Sequence, residues 1–278
     1  MFKDRRLIIA TKHKKEEVIA SHLERALGVS CFVNENFDTD ILGTFTGEIE
    51  RKLDPIATAR QKCLLAMELN NCDLGIASEG SFGAHPSMFF VSADDEFLIF
   101  IDKKNKLEII AREISTATNF NGKEITNEKE MLDFAHLANF PSHGLILRKS
   151  KDDSTEITKG IIDEGHLKEA FHKLLGKFKS VYIETDMRAL YNPLRMKVIE
   201  AATLKLITKI NSLCPDCSKP GFAITDAKKG LMCSLCGAPT NTTLSYLYVC
   251  EYCNYTKEEK YPHNKTSEDP MYCDNCNP

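Results

Sequence analysis

The last quarter of the chain contains four Cys-x-x-Cys pairs: Cys214-Pro-Asp-Cys217, Cys233-Ser-Leu-Cys236, Cys250-Glu-Tyr-Cys253 and Cys273-Asp-Asn-Cys276. They account for eight of the 11 cysteines in the 278-residue sequence. A two-residue gap lets both thiolates of one pair, a zinc knuckle, turn toward a single ion, and two knuckles complete a tetrahedral four-cysteine site. The spacing therefore predicts two structural Zn²⁺ sites.

Two ways of pairing the four knuckles are open. Sequential pairing joins the first knuckle to the second and the third to the fourth. We favour it, because the second and fourth knuckles each resemble the half that completes a zinc ribbon. Interleaved pairing, as in a cross-brace, is the alternative. An iron–sulfur cluster fits less well, since the spacing matches neither ferredoxin pattern.

The composition of the chain changes near Asn211. Upstream, three scattered cysteines have the character of small buried hydrophobic residues. Downstream, apolar residues are sparse, and Cys, Pro, Gly, Asn and Asp dominate. Such a segment needs metal to fold, and a structural zinc site can supply roughly 10–16 kcal/mol. We therefore predict an α/β domain over residues 1–210 and a double zinc ribbon over 211–278.

The bulk composition, 42% hydrophobic and 27% charged, is typical of a soluble globular protein. The apolar run near the N-terminus, Leu7–Ala10, is too short for a signal peptide, and no stretch reaches the 18 or so apolar residues of a membrane span. We expect a cytoplasmic protein that does not contact a membrane. Thiols stay reduced in that compartment, which favours metal over disulfides.

The predicted ribbon domain is acidic, with six Lys and Arg residues against eight Asp and Glu residues. Each zinc held by four thiolates adds a further formal charge of about −2. Phosphate backbones are bound by basic surfaces, so nucleic acid is a less expected partner than protein. A contact between two copies of the chain, giving a homodimer, is a further use for the ribbons.

The first 210 residues alternate strand and helix signals. Short apolar runs of the strand type include Leu7–Ala10 and Leu74–Ala77, and the second run leads into a glycine-containing loop, Ser78–Gly83. Helix signals include Asp54-Pro55, an N-cap followed by proline at the first helical position, and Gly28, which can end a helix. The alternation predicts an α/β fold with a mixed sheet.

Four polar segments follow predicted strands or open predicted helices, at the sheet edge where α/β proteins bind ligands. They are Thr11–Glu16, Glu48–Arg51, Ser78–Gly83 and Glu184–Arg188. In the first segment, a helix N-terminus with a hydroxyl group and several lysines suits an anion such as phosphate. A solvated basic turn is the alternative.

Carboxylates in two of these segments are candidate cation ligands. Glu79 would project from the carboxyl end of its strand, where it could hold Mg²⁺ or activate water. Glu48 and Glu50 lie two residues apart, so an extended chain would place them on one face, and either could join Glu79. The alternatives are a glutamate that caps a backbone amide and a solvated acidic loop.

Three more charged residues are candidates. Lys62 lies in the helix after Asp54, apart from its apolar stripe, and its position alone favours a surface lysine. Asp186 can accept a hydrogen bond from a base edge, and Arg188 can stack or bind phosphate. A surface ion pair between these two residues is the alternative.

Three segments share their order and spacing with a known family: Ala10-Thr11-Lys-His13-Lys-Lys15, Ala59-Arg-Gln-Lys62-Cys63 and Ile76-Ala-Ser-Glu79-Gly-Ser81. They resemble the inosine triphosphate pyrophosphatase superfamily, over roughly residues 5–195. The resemblance implies a phosphate-binding turn after the first strand, a lysine-bearing helix and an acidic loop. It also implies Mg²⁺-dependent hydrolysis of nucleoside triphosphates to monophosphates and pyrophosphate.

The resemblance implies roles for individual residues. Glu79, with Glu48 or Glu50, would bind the metal and form the catalytic site. Thr11, His13, Lys15 and Lys62 would face phosphates, and Arg188 is similar to the family's base-binding arginine. Together with the polar segments above, the predicted contacts to a nucleotide or another phosphorylated small molecule are Thr11, His13, Lys14, Lys15, Lys62, Ser81, Asp186 and Arg188.

The whole chain also resembles an uncharacterised bacterial family, which joins the segments Glu79–Gly83 and Glu184–Arg188 to two ribbons ending in Cys-Asn-Pro. The sequence thus predicts a nucleotide-pyrophosphatase-like domain followed by a double zinc ribbon. A nucleotide hydrolase is the favoured function. The alternative is a non-enzymatic adaptor, whose ribbons bind protein or nucleic acid while the α/β domain senses a ligand.

Overall fold

The protein is described by a computed structural model over residues 1–34, 36 and 53–278. These residues form two compact units, Met1–Ile207 and Thr208–Pro278. Among the helices of the described residues, none is both long enough and apolar enough to cross a bilayer.

The first unit contains a five-stranded mixed sheet. Its strands are β1 (Arg6–Ala10), β2 (Ser30–Phe32), β3 (Leu74–Ala84), β4 (Ser92–Asp102) and β5 (Leu107–Ser115). The strand order is β2-β1-β3-β4-β5. β1 pairs in parallel with β2 and β3, whereas β4 pairs antiparallel with β3 and β5. The prediction of an α/β fold with a mixed sheet is confirmed.

Two helices precede β3 in the chain, α1 (Glu16–Leu27) and α2 (Pro55–Leu69). α1 ends at Gly28, which has a φ of 67° and donates its N–H to the carbonyl of Glu24. α2 begins after Asp54, whose carboxylate accepts hydrogen bonds from the amides of Ile56 and Ala57, both at 3.0 Å. The predicted helix stop and N-cap are both confirmed.

α2 packs on one face of the mixed sheet. Its side chains Ala59, Cys63 and Met67 are fully buried against Ala77 of β3 and Ile99 of β4. This contact forms one apolar core of the first unit.

A second sheet in the first unit was not predicted. Its strands are β6 (Gly122–Ile125), β7 (Leu145–Ser150), β8 (Asp153–Ile161) and β9 (Val181–Thr185), in the order β6-β9-β7-β8, and all its pairs are antiparallel. The helices α3 (Glu128–Leu137) and α4 (Glu164–Lys177) supply Phe134 and Phe171 to its core. A 3₁₀ turn (Ala189–Tyr191) then leads into α5 (Pro193–Asn211).

The prediction of a loop over Ser78–Gly83 is wrong. β3 continues through this segment, and each residue from Leu74 to Ala84 pairs with a residue of β4. Serine and glycine have low strand propensity, but pairing with a long neighbouring strand outweighs that local preference.

The second unit contains a three-stranded antiparallel sheet in the order β10-β11-β12, numbered along the chain. The strands are Ala223–Lys229, Thr243–Val249 and Thr256–Lys260. Its apolar core is small: Phe222 is buried with cysteines, and its ring lies 5.5 Å from that of Tyr248 and 5.8 Å from that of Tyr255. So little buried apolar surface agrees with a unit that needs metal to fold.

Gly75 lies where a side chain does not fit. A Cβ atom there would lie 2.7 Å from Met67 Cγ and 2.9 Å from Cys63 Sγ. We predict that Gly75→Ala lowers the free energy of unfolding by about 1–3 kcal/mol, the usual cost of overpacking a core. Gly83→Ala in the same strand is the control, because no described atom lies within 4 Å of its Cβ position. Urea unfolding measures both variants, and equal losses would contradict the packing argument.

Candidate functional site

The eight knuckle cysteines form two groups, and the Sγ atoms in each group lie within 4.8 Å of one another. Site 1 comprises Cys214, Cys217, Cys250 and Cys253, and site 2 comprises Cys233, Cys236, Cys273 and Cys276. Site 1 thus joins the first and third knuckles, and site 2 joins the second and fourth. The prediction of sequential pairing is wrong, and the interleaved alternative is found.

The sulfur spacing fits zinc. In site 1, Sγ–Sγ distances are 3.6 Å between Cys214 and Cys253 and 3.5 Å between Cys217 and Cys250. The corresponding distances in site 2 are 3.9 and 3.7 Å. Four sulfurs about 2.3 Å from a tetrahedral ion are about 3.8 Å apart, whereas a disulfide brings sulfurs to about 2.0 Å. The two groups therefore fit two structural zinc sites.

The antiparallel sheet explains the interleaving. β10 has seven residues, and an extended strand of that length spans roughly 20 Å. It carries the chain away from the first knuckle before the second begins. β11 returns and ends at Val249, directly before Cys250, and Val249 pairs with Ala223 at the start of β10. Consecutive knuckles therefore lie at opposite ends of the sheet, and alternate knuckles share an end.

All four knuckles contain the same backbone turn. The amide that follows the second cysteine donates to the carbonyl of the first cysteine; the donors are Ser218, Gly237, Asn254 and Asn277. The first three have φ values of 57°, 70° and 59°. Glycine and asparagine enter this left-handed region at low cost. A residue that tolerates a positive φ directly after a Cys-x-x-Cys pair is therefore a further sequence indicator of a zinc knuckle.

A second candidate site lies in the first unit, along the polar half of β3. β1 pairs with β3 only as far as Ala77, so Ser78–Ala84 continues beyond the end of β1. Charged and polar side chains from four elements and from the turn before α1 lie there, on the two faces of the sheet, and none of these residues is more than 8% exposed. Glu79 projects to the same face as Ala77 and meets Lys62 of α2, whereas Ser78, Gly80 and the paired Glu96 project to the opposite face. This β3 cluster consists of Lys15, Lys62, Ser78, Glu79, Asp94, Glu96 and Arg195.

Lys62 of α2 reaches Glu79, with its Nζ 2.6 Å from Glu79 Oε2. Both side chains are buried. Lys62 is therefore not the surface lysine that its position in the helix favoured. A buried ion pair of this kind is costly to desolvate, and it is strongly destabilising to remove one partner alone.

Lys15, directly before α1, donates from Nζ to Ser78 Oγ at 2.9 Å. Burial, followed by the charge of Arg195, lowers the pKa of Lys15 to about 8. Lys15 therefore loses its proton at a lower pH than an ordinary lysine does.

Glu96 of β4 and Arg195 of α5 form another buried ion pair, in which Arg195 Nε lies 2.6 Å from Glu96 Oε1. Arg195 also donates from Nη1 to the carbonyl oxygen of Met187 at 2.6 Å. The pair packs directly over Gly80, where any Cβ atom would clash with the Glu96 carboxylate and lie 2.6 Å from Arg195 Nη2. Glycine at position 80 thus makes room for the pair.

Asp94 lies two residues before Glu96, on the same face of β4. Burial, followed by the charge of Glu96, raises the pKa of Asp94 to about 8. Asp94 Oδ1 and Glu96 Oε2 are both buried and accept no hydrogen bond from any described residue. These two oxygens are the unsatisfied part of the β3 cluster.

Four other predicted contacts lie outside the β3 cluster. Thr11 and His13 are half-buried at the end of β1, with His13 N 3.4 Å from Thr11 Oγ1. Ser81 is half-buried on β3, paired with Asp95. Lys14 is exposed, and its Nζ lies 3.8 Å from the Glu17 carboxylate.

Asp186 and Arg188 follow β9 of the antiparallel sheet. Arg188 Nη2 lies 2.6 Å from Asp186 Oδ2, and the guanidinium lies 4.6 Å from the ring centre of Tyr191. Asp186 is fully buried, so this is not a plain surface ion pair. Met187, between them, accepts the hydrogen bond from Arg195 that connects this segment to the β3 cluster.

Glu48 and Glu50 lie outside the described residues. A metal site formed by Glu79 with either of them therefore stays a prediction.

The sequence reasoning missed Asp94, Glu96 and Arg195. A signal exists for the two carboxylates: they alternate along β4 in phase with Leu98, which places them on a buried face. Arg195 gives no local signal, because its role depends on α5 packing against β4.

The fold and sites define an α/β protein with a cysteine-rich unit that can hold two metal ions. The chain belongs to the family described as Domain of unknown function (DUF6671), whose model matches residues 62–278. The matched span includes β3, β4 and all eight knuckle cysteines. The expectation of an uncharacterised family is confirmed. No curated protein matches the chain.

Interleaved pairing predicts which cysteine thiols become exposed when both cysteines of one knuckle are replaced. In the double variant Cys250→Ser and Cys253→Ser, site 1 loses two of its four ligands, so we expect Cys214 and Cys217 to become alkylated while site 2 stays protected. The double variant Cys273→Ser and Cys276→Ser should expose Cys233 and Cys236 instead. Thiol alkylation read by mass spectrometry measures this. Sequential pairing would give a different outcome, in which the first variant exposes Cys273 and Cys276.

Lys15 should reduce stability at neutral pH. Its folded pKa of about 8 lies below the ordinary value of 10.5, so between these values the unfolded chain binds more protons and stability rises with pH. We predict that Lys15→Met raises the urea midpoint at pH 7, and that this gain shrinks as pH rises from 8 toward 10. Lys14→Met is the matched control, because Lys14 is exposed. A gain that does not change with pH would contradict the assignment.

Proposed function

We propose that the first unit binds a nucleotide or another phosphorylated small molecule and hydrolyses a phosphoanhydride bond with the help of a divalent cation. The observation that carries the proposal is the burial of Lys15 and Lys62 against successive residues of β3, Ser78 and Glu79, beyond the carboxyl end of β1. Ligands of α/β proteins bind at that edge of the sheet.

The buried lysines support an anionic ligand. Lys62 has a carboxylate partner, whereas the hydrogen bonds of Lys15 go to the side-chain and backbone oxygens of Ser78. Keeping ammonium groups buried costs free energy unless negative charge compensates them. A phosphate group offers several anionic oxygens at once. We therefore assign Lys15 and Lys62 as phosphate ligands, with Thr11 and His13 at the adjoining strand end.

The carboxylate of Glu79 supports the hydrolytic part of the proposal. Lys62 holds this carboxylate in place at 2.6 Å. Mg²⁺, the cation that the resemblance implies, prefers carboxylate oxygens and polarises a phosphoryl oxygen when bound. Glu79 would serve as a cation ligand or as the base that orients the attacking water.

Arg188 is a candidate contact for a base or sugar. Asp186 fixes its guanidinium through a 2.6 Å ion pair, which leaves the planar group over the ring of Tyr191. A fixed planar cation can stack on a base or bind phosphate.

A non-enzymatic adaptor is the second candidate, and the surface of the second unit favours it. Leu235, Met271 and Tyr272 are 74%, 60% and 60% exposed, and all three lie within or beside the knuckles of site 2. Exposed apolar side chains on an acidic unit suit a protein partner, or a second copy of the chain, better than nucleic acid. In this reading, the β3 cluster senses a ligand without turning it over.

A hydrolysis assay tests the enzymatic proposal. The zinc-loaded full chain, incubated with Mg²⁺ and a panel of nucleotides, should release pyrophosphate or phosphate. We expect Lys62→Met to lower kcat/KM by about 10²-fold or more, since a charge that stabilises the transition state is lost.

Lys129→Met is the control for this assay and should keep nearly full activity, because Lys129 is exposed on α3 and belongs to none of the predicted contacts. Absence of product from the whole panel would refute hydrolysis. If a nucleotide nonetheless raised the melting temperature, the ligand-sensing adaptor would be favoured. Equal activity of the two lysine variants would remove Lys62 from the site.

A further inference from the structure

We infer that Asp94 and Glu96 of β4 hold a divalent cation of the Mg²⁺ or Mn²⁺ class through carboxylate oxygens on the sheet face that also carries Ser78 and Gly80. The inference rests on the proposed function, because it supplies the cation that phosphoanhydride hydrolysis needs. It assigns that cation to residues other than Glu48, Glu50 and Glu79.

The first argument is burial without partners. Asp94 is 1% exposed and Glu96 is 0% exposed. Asp94 Oδ1 and Glu96 Oε2 accept no hydrogen bond from any described residue. Buried carboxylate oxygens are normally hydrogen-bonded, paired or bound to a metal, because leaving them unsatisfied costs their full desolvation free energy. Two such oxygens from neighbouring residues of one strand face indicate a shared ligand.

The second argument is the geometry of the strand. Residues two apart on a strand project to the same face, so Asp94 and Glu96 lie side by side there. Asp95, between them, projects to the opposite face, where Arg112 holds it with Nη2 2.6 Å from Oδ2. Arg112 binds both carboxylate oxygens of Asp95, whereas Asp94 Oδ1 and Glu96 Oε2 on the other face are left for a ligand.

The third argument is the orientation of Glu96. Arg195 binds only its Oε1, at 2.6 Å, and Arg195 is itself held by the backbone oxygen of Met187. Gly80 provides the space in which this pair packs. The arrangement fixes the Glu96 carboxylate and leaves Oε2 without a donor. Protein groups that hold a ligating carboxylate in place are a regular part of metal sites.

The fourth argument is ligand chemistry. Oxygen-only donor sets favour Mg²⁺, Mn²⁺ or Ca²⁺ over zinc, which the cysteine sites of the second unit suit better. The sheet face of Asp94 and Glu96 also carries the ion pair of Glu96 with Arg195 and the hydrogen bond of Lys15 to Ser78, and a divalent cation would add two positive charges there. A bound phosphate group would offset them. Cation and phosphorylated ligand are thus expected to strengthen each other's binding.

The experiment is a Mn²⁺ titration of the zinc-loaded full chain, with no nucleotide present. The electron paramagnetic resonance signal of free Mn²⁺ reports binding, and the prior zinc load keeps the cysteine sites filled. We expect one Mn²⁺ per chain, which Mg²⁺ displaces. Asp94→Asn and Glu96→Gln should each weaken binding by at least about tenfold, since each removes an anionic ligand.

Asp95→Asn is the matched control. It removes the same charge from the same strand, but on the face held by Arg112, so we expect unchanged Mn²⁺ affinity. Circular dichroism verifies that each variant is folded. Asp94→Asn should remain folded without Mn²⁺, because it replaces a buried carboxyl group, which lacks a hydrogen bond on Oδ1, by a neutral amide of nearly the same shape. Two independent variants keep the test decisive if one of them unfolds.

Three results would overturn the inference: no saturable Mn²⁺ binding to the unmodified chain, unchanged binding in both Asp94→Asn and Glu96→Gln, or an equal loss in Asp95→Asn. The outcomes are separable from the fate of the proposed function. Mn²⁺ binding that depends on Asp94 and Glu96, without hydrolysis, would refute the hydrolase and keep the cation site. Hydrolysis at full rate in both variants would keep the hydrolase and refute this cation site.

Discussion

The antiparallel ladder between β3 and β4 joins eleven residue pairs, from Leu74 and Asp102 to Ala84 and Ser92. Its first half carries apolar side chains that pack under α2. Its second half continues past the end of β1 and carries the polar residues of the β3 cluster. Because the ladder supplies backbone hydrogen bonds along one edge of β3, its polar residues from Ser78 to Gly80 can be buried without an apolar core. Only its side chains then need partners.

Those partners come from elements far apart in sequence. Lys62 arrives from α2, Lys15 from the turn before α1, and Arg195 from α5. Each meets a group on β3 or β4 at hydrogen-bond distance. Buried ion pairs add little net stability, since desolvation offsets most of their attraction. These ion pairs, together with two carboxylate oxygens still unsatisfied, are the reason for proposing a ligand at this position.

In the second unit, the candidate metal-binding cysteines take the place of an apolar core. The three strands are largely half-buried or exposed, and the cysteines themselves form much of the buried surface. The strands set the distance between consecutive knuckles. The sheet and the two cysteine sites therefore depend on each other: without the strands, alternate knuckles would not meet, and without ions, little would hold the strands.

The sequence by itself determined the features that depend on neighbours in the chain. The Cys-x-x-Cys spacing identified all eight candidate zinc ligands, and Asp54 and Gly28 correctly marked the ends of two helices. These signals are local, because a knuckle turn or a helix cap involves only a few consecutive residues. Only the tertiary structure decided which knuckles share a site, that Ser78–Gly83 is a strand, and that Lys62 is buried against Glu79. It also brought Asp94, Glu96 and Arg195 into one cluster. Each of these outcomes depends on strand pairing or helix packing between distant segments, and the physical reason is that burial and charge pairing are properties of the assembled sheet.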